Sequence, residues 1–208
     1  QSSYPSVKDA RVETYRKVGS TELKLWIFGE SDPKVPKPAI VFFHGGGWNA
    51  GTPEQFAAHA RYFAKRGMIA ILAEYRVKSR HGVLAVECVK DAKAAIAWVR
   101  ENAQRLGIDP DKIAASGGSA GGHLAAATGT ISGFGSDERP NAMILFNPAC
   151  TLAPIADWQP GRAGAVLTEL SRTREAVTVE RAHVDAYAAV CGFPVKDTVP
   201  LPYPHLLA

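Results

Sequence analysis

The sequence predicts an α/β fold: a mostly parallel sheet with helices on both faces and an antiparallel hairpin near its N-terminal end. Two observations predict it. Short apolar runs, typical of buried strands, alternate along the chain with longer segments whose apolar residues recur at helical spacing. Before that pattern come two strand-like segments with alternating polarity, separated only by Gly19 and Ser20. We expect residues 1–208 to form a single domain.

The hairpin is the first element. Arg11–Val18 and Thr21–Phe28 alternate between polar and apolar residues, and in the second segment Leu23, Leu25 and Ile27 share one face. A proline-rich stretch then marks a surface connection. It leads to residues 39–43, a continuous apolar run that is typical of a strand buried on both faces.

Helices and strands then alternate as far as residue 146. Thr52 and Gln55 form a capping-box pattern with Pro53 in the first turn, which predicts a helix that ends near Arg66. The later expected elements are strands at 68–73, 112–115 and Ala142–Phe146, and helices at 83–106 and 120–128. Beyond about Cys150 the pattern weakens: residues 175–190 allow a helix, and four prolines follow before the last residue.

The composition is that of an ordinary globular chain. Its 208 residues are 46% hydrophobic and 21% charged, with a net charge of +4, so disorder is not expected. No apolar run approaches the roughly 18 residues of a membrane-spanning helix. The 24 basic residues form no block, so no nucleic-acid partner is expected. Cys88, Cys150 and Cys191 form no zinc pattern, and we expect no metal or cofactor; one disulfide, between the later two cysteines, stays open.

A Gly-x-Ser-x-Gly motif occupies residues 117–121, between a predicted strand and a predicted helix. A nucleophile at the top of a parallel sheet needs a turn so sharp that neighbouring side chains would collide, and Gly117 and Gly121 remove them. The turn would expose the hydroxyl of Ser119. The alternative is a glycine-rich turn without chemistry. A phosphate-binding loop is disfavoured, because no Gly-Lys-Ser/Thr sequence follows.

A second motif, His-Gly-Gly-Gly-Trp at residues 44–48, directly follows the predicted strand 39–43. Consecutive glycines leave backbone N–H groups open to close approach, as an oxyanion hole requires of donors about 3 Å from the developing charge. The alternative is a flexible glycine loop. Both motifs follow predicted strands and stand in the order that lipases and esterases use, which favours the catalytic interpretation.

Together, the two motifs resemble those of the hormone-sensitive-lipase-like branch of the α/β-hydrolase fold, which includes bacterial carboxylesterases and acetylxylan- or feruloyl-esterase-like proteins. The resemblance extends over roughly residues 10–150, and residues 151–208 are atypical. It implies that Ser119 is the nucleophile and that the N–H groups of Gly46, Gly47 and Ala120 form the oxyanion hole. It also implies a structural role for His44.

Other polar residues in the matched region have simpler expected roles. His123 lies one turn into the predicted elbow helix, and we expect it to pack against the sheet. Asp91 and Glu87 lie on the predicted helix 83–106, where they are most simply surface charges. The resemblance offers one alternative, in which Asp91 pairs with Arg76 beneath the active-site loops.

The family places a carboxylate and then a histidine after the serine, and this part of the pattern breaks down. Asp197 begins an Asp-x-Val-Pro sequence 78 residues beyond Ser119, similar to the acid loop of the family. His205 follows only eight residues later, too few for the usual intervening helix and strand. His183 with Asp185 is a second pair, but in the reverse order. We assign Asp197 as the acid and His205 as the base.

Three explanations fit this shortened C-terminal part. The chain could have lost its triad partners, a neighbouring chain could complete the site, or the short tail could bring His205 to Ser119. A sheet that ends early exposes an edge and an apolar face, so we expect a homo-oligomer in each case.

The predicted function is hydrolysis of short-chain acyl esters of small molecules or carbohydrates, through an acyl-enzyme on Ser119. Trp48 beside the glycine loop, and the lack of a long apolar lid before the core, favour short acyl groups. The alternative is a catalytically impaired or non-catalytic binding protein with the same fold. The chain begins at Gln1, and a removed secretory signal would place the protein outside the cell or in the periplasm.

Overall fold

The computed structural model describes residue 7, residues 9–136 and residues 138–149. The strands in this part of the chain are β1 Arg11–Val18, β2 Thr21–Phe28, β3 Lys37–Phe43, β4 Ile69–Ala73, β5 Ile108–Gly118 and β6 Ala142–Phe146. The helices are α1 Ala57–Ala64, α2 Lys78–His81, α3 Ala85–Glu101, α4 Ala103–Leu106 and α5 Ala120–Thr130, and a 3-10 helix, Pro53–Phe56, precedes α1.

These strands form one mixed sheet in the order β1-β2-β4-β3-β5-β6. The hairpin strands β1 and β2 are antiparallel, and β2 pairs antiparallel with β4. From β4 onward the neighbours are parallel: β4 with β3, β3 with β5, and β5 with β6. The predicted fold class, a mostly parallel sheet with helices and an N-terminal antiparallel hairpin, is confirmed. In this order β3 and β5 are central neighbours, so their carboxyl ends lie side by side.

Both faces of the sheet are covered, because apolar side chains alternate between the two sides of each strand. One face packs against α3 and α5, and the expected inward face of β2 lies here, with Leu23, Leu25 and Ile27 buried. The opposite face packs against the 3-10 helix and α1, where Phe42 stacks on Phe56 with ring centroids 5.1 Å apart. In the described part of the chain, no helix is long and apolar enough to cross a membrane.

Several boundaries differ from the predictions. The single expected helix 83–106 divides at Asn102 into α3 and α4, and β5 starts at Ile108 because its first residues pair with β3 at Lys37. The helix expected from Thr52 begins as a 3-10 helix and ends at Ala64. The predicted capping box is wrong, because the Thr52 side chain makes no capping hydrogen bond.

Strand β6 is covered unequally on its two sides. Ile144 and Phe146 point to the side of α1 and are about two-fifths exposed, at 42% and 43%. Met143 and Leu145 point to the side of α5 and are half-buried. The described elements therefore leave apolar surface open beside β6. The expected homo-oligomer, which such surface favours, stays a prediction.

Candidate active site

Ser119 occupies the sharp turn between β5 and α5. Its backbone has φ +54° and ψ −119°, a left-handed conformation that a residue with a side chain rarely adopts. Two glycines make the turn feasible. A Cβ atom on Gly117 would lie 2.6 Å from the Phe43 carbonyl oxygen, and one on Gly121 only 2.0 Å from the same atom. The backbone of the turn therefore packs directly on the end of β3, as the motif predicts.

Backbone hydrogen bonds hold this turn from three sides. The Ser119 N–H donates to the Phe146 carbonyl at 3.0 Å, and the Ser119 carbonyl accepts from the N–H groups of His123 and Ala149 at 3.0 and 3.1 Å. The side chain itself is exposed. Its hydroxyl has no hydrogen-bond partner among the described residues. A strained backbone that is fully anchored, with a free hydroxyl, suits a nucleophile that needs access to substrate.

The close approach of Gly121 gives a stability prediction. Gly121→Ala is expected to lower the free energy of unfolding by about 3 kcal/mol or more, because the new methyl group would meet main-chain carbonyls that cannot move aside. Urea denaturation measures this loss. The matched control is Gly129→Ala in the same helix, where the obstructing atom is the flexible Met143 side chain and a much smaller change is expected. Equal effects of the two substitutions would contradict the packing described for the turn.

The glycine loop lies after β3 and against this turn. Gly46, Gly47 and Trp48 have φ of +123°, +61° and +57°, and the Gly46 carbonyl accepts from the N–H groups of Asn49 and Ala50 at 3.1 and 3.0 Å. These three positive φ values make a tight turn, and the successive N–H groups of a turn can form a concave surface that attracts anions. Among the described residues, the N–H groups of Gly46 and Gly47 meet no acceptor.

The turn and the loop are in direct contact at the carboxyl edge of the sheet. A Cβ atom on Gly45 would lie 3.0 Å from the Gly118 carbonyl oxygen, and one on Gly121 would lie 2.5 Å from the His44 carbonyl oxygen. Ala120 starts α5, so its N–H has no acceptor within the helix, and it has none elsewhere in the described residues. The structure thus brings Ser119, Gly46, Gly47 and Ala120 to one place.

His44 has the structural position that the resemblance implies. It is 1% exposed, and its ring stacks on Tyr75 with centroids 4.2 Å apart. Its Nδ1 lies 2.8 Å from the Gly45 carbonyl oxygen, which can only accept, so Nδ1 carries the proton. Burial lowers the pKa of His44 to about 4, and the ring is neutral at pH 7.

His123 packs on the glycine loop: its ring meets the Trp48 indole edge-on, with centroids 5.2 Å apart. Burial lowers the pKa of His123 to about 4. Trp48 is 4% exposed, so its indole supports the loop from within. A buried Trp48 offers little surface to a substrate, so it gives no support to the expected preference for short acyl groups.

The expectation that Asp91 is a surface charge is wrong, and the alternative pairing with Arg76 is confirmed. Asp91 is fully buried at 0% exposure. Arg76 donates to its carboxylate from Nε at 2.8 Å and from the terminal nitrogen at 2.9 Å, and Arg16 lies 3.0 Å from the same group. Glu87 is half-buried and accepts the Leu84 N–H at the start of α3. Both carboxylates therefore have structural partners.

The acid and the base of the proposed triad are not among the residues that the structure describes. Asp197 and His205, and also His183 and Asp185, lie outside them, as do Cys150 and Cys191. Four histidines are described, and none of them has a hydrogen bond with the Ser119 hydroxyl: His44, His59, His81 and His123.

The role of one residue at the site, Gln55, was not predicted from the sequence. Gln55 accepts the Gly45 N–H on its Oε1 at 2.6 Å, so its side chain holds the glycine loop and does not cap a helix. A single sequence carries no signal for this contact, because a glutamine three residues after a threonine, just before a helix, fits a capping box equally well.

Comparison with known families decides the identity of the fold. The BD-FAE family model, which describes α/β-hydrolase esterases, matches residues 25–176. The chain belongs to the BD-FAE family. This confirms the predicted resemblance to carboxylesterases of the α/β-hydrolase fold, and the match includes both glycine motifs.

Two relatives of this BD-FAE chain are named as esterases. Carboxylesterase NlhH of Mycobacterium tuberculosis (strain CDC 1551 / Oshkosh) is 28% identical over 187 residues, which cover 88% of this chain and 54% of the relative. An arylesterase of Saccharolobus solfataricus is 39% identical over 93 residues, which cover 44% of this chain and 30% of the relative. The chain thus spans about half the length of NlhH.

Solved structures agree with the family assignment. Thermogutta terrifontis esterase 2 phosphonylated by sarin is 46% identical, with a TM-score of 0.74 over 79% of this chain and 64% of that one. The form of the same esterase phosphoramylated by tabun is 38% identical, with a TM-score of 0.71 over 90% of this chain. At 46% and 38% identity, these structures resemble the chain in sequence as well as in fold.

Proposed function

We propose that this chain hydrolyses carboxylic esters of short acyl groups, carried by small molecules or carbohydrates, with Ser119 as the nucleophile. One observation carries the proposal: the strained turn that bears the exposed Ser119 side chain packs against the glycine loop, and the N–H groups of Gly46 and Gly47 have no acceptor among the described residues. A hydroxyl open to substrate, with backbone donors fixed beside it, is the arrangement that acyl transfer requires.

The reaction would proceed in two halves. The Ser119 Oγ attacks the ester carbonyl carbon as its proton passes to a base, and the N–H groups of Gly46, Gly47 and Ala120 stabilise the oxyanion that forms. The ester C–O bond then breaks, the alcohol leaves with a proton, and the acyl group stays on Ser119. Water attacks the acyl-enzyme and releases the acid. We assign the base to His205 and its carboxylate partner to Asp197.

The relatives support the short-chain part of the proposal. Thermogutta terrifontis esterase 2 has been solved with propionate and with butyrate bound. The same protein has been solved phosphonylated by sarin and phosphorylated by paraoxon, which are organophosphorus compounds. A similar site in this chain would accept small acyl groups and react with organophosphorus probes.

The test combines turnover with covalent labelling. Purified protein is expected to release p-nitrophenol from the acetate and butyrate esters faster than from the decanoate ester. A fluorophosphonate probe is expected to modify the protein, and mass spectrometry of a digest is expected to place the adduct on Ser119. Turnover that favours the decanoate ester would contradict the short-chain preference, and an adduct on another residue would contradict the nucleophile.

A second candidate is a binding protein that keeps the pocket without turnover, which requires that no base reaches Ser119. None of the described histidines hydrogen-bonds to the Ser119 hydroxyl. A serine without a base is a poor nucleophile. In that case neither p-nitrophenol release nor labelling by the fluorophosphonate would be detected, although the protein is folded. The labelling experiment therefore separates the two candidates.

A further inference from the structure

The glycine loop is fastened to the 3-10 helix by a single side chain. The Gly45 N–H donates to the Gln55 Oε1 at 2.6 Å, and the acceptor must be the oxygen because the amide nitrogen can only donate. Within the described residues, this is the one side-chain acceptor that a backbone N–H of residues 44–48 meets. Gln55 itself is exposed, so it fills no space in the core.

This bond fixes one end of a peptide plane whose other end is also held. The His44 carbonyl, on the same plane as the Gly45 N–H, accepts the Tyr75 hydroxyl at 2.7 Å. The C=O and N–H of a trans peptide point in opposite directions, so the two bonds together prevent the plane from rotating. Without the Gln55 oxygen, the plane would be held at its carbonyl only.

The next peptide plane carries the first proposed oxyanion donor. Its carbonyl, that of Gly45, accepts from His44 Nδ1 at 2.8 Å, and the Gly46 N–H projects from the opposite side. The far side of the loop is held by a backbone hydrogen bond, in which the Lys78 N–H donates to the Trp48 carbonyl at 2.9 Å. Two hydrogen bonds therefore set the orientation of the Gly46 N–H: that of His44 Nδ1 on its own peptide plane, and that of Gln55 on the plane before it.

We propose that Gln55 is a positioning residue that helps to aim the Gly46 N–H group at the reacting carbonyl oxygen. The inference rests on the proposed function, because that function assigns the Gly46 N–H as an oxyanion donor. A donor displaced by a fraction of an ångström stabilises the transition state less while leaving substrate binding nearly intact. Replacing Gln55 should therefore change kcat and not KM.

The test uses Gln55→Met, which keeps the length of the side chain and removes the acceptor. With p-nitrophenyl butyrate we expect kcat to fall about 10- to 100-fold, as small misplacements of reacting groups do, with KM changed less than about twofold. The affinity for an alkyl trifluoromethyl ketone, which forms a tetrahedral oxyanion adduct with serine, should fall by a similar factor. The control is Gln104→Met, at an exposed glutamine of α4, which should match the wild type.

Each other result has a definite meaning. An unchanged kcat in Gln55→Met, or a higher KM with kcat retained, would overturn the positioning role. So would a loss of kcat with no loss of ketone affinity, because the oxyanion donors would then be unaffected. If the wild type lacked esterase activity, or if Ser119→Ala retained it, the proposed function itself would fail, and the two failures are therefore distinguishable.

Discussion

Ser119→Ala is expected to lower kcat/KM for p-nitrophenyl butyrate by about 10⁴- to 10⁶-fold, the loss seen when a serine hydrolase loses its nucleophile. The substitution removes only the Oγ atom. The anchors of the turn are backbone groups and would remain: the Phe146 carbonyl on the Ser119 N–H, and the His123 and Ala149 N–H groups on the Ser119 carbonyl. Activity should therefore fall to a small residual rate, supplied by the oxyanion donors alone, without loss of the fold.

The measurement compares initial rates of the two proteins at equal concentration, with circular dichroism to show that both are folded. Ser116→Ala is the matched control, since Ser116 lies three residues earlier in β5 and its hydroxyl donates to the Ile144 carbonyl at 2.7 Å. It should cost about 1 kcal/mol of stability and leave kcat/KM nearly unchanged. A Ser119→Ala protein with wild-type turnover would show that another residue attacks the ester.

Asp91→Ala is expected to lower the free energy of unfolding by about 3–5 kcal/mol, because it leaves a buried guanidinium without its counter-ion. Asp91 is fully buried, and Arg76 is 9% exposed beside it. Arg76 donates to the carboxylate with its backbone N–H as well as its side chain, so the loss also affects the chain between β4 and α2. Urea denaturation of wild type and variant measures the difference.

Two further variants test the cause of that loss. Arg76→Met combined with Asp91→Leu removes both charges of the buried pair and should destabilise less than Asp91→Ala alone. Glu22→Ala removes one partner of the exposed Lys17–Glu22 ion pair and should have no measurable effect. A double variant as unstable as the single one would mean that packing, not the unpaired charge, sets the cost.

Local patterns in the sequence were sufficient for most of the sheet. The bounds of β1, β2 and β6 follow from alternation or from a continuous apolar run, because each depends on residues next to one another in the chain. The two glycine motifs were placed correctly for the same reason. Each sits at the end of a strand, and parallel neighbours bring such ends together.

What the sequence did not reveal depends on partners that are not neighbours in the chain. Asp91 was expected at the surface because its partners, Arg76 and Arg16, lie 15 and 75 positions away. Gln55 fits a capping box equally well, and only the folded loop offers it the Gly45 N–H. Polar side chains choose among several local and distant partners, whereas apolar residues need only the same buried face, so polar roles are harder to derive from one sequence.

The position of β3 between β4 and β5 has a consequence for how the chain folds. The glycine loop and Ser119 are separated by about 70 residues, and they meet only when β5 pairs with β3. Pairing at such separation is slow, because closing the long intervening segment costs entropy before the strand contacts form. No early, locally structured intermediate can contain the complete site. Return of the proposed esterase activity after dilution from denaturant should therefore not precede the formation of the central strand pair.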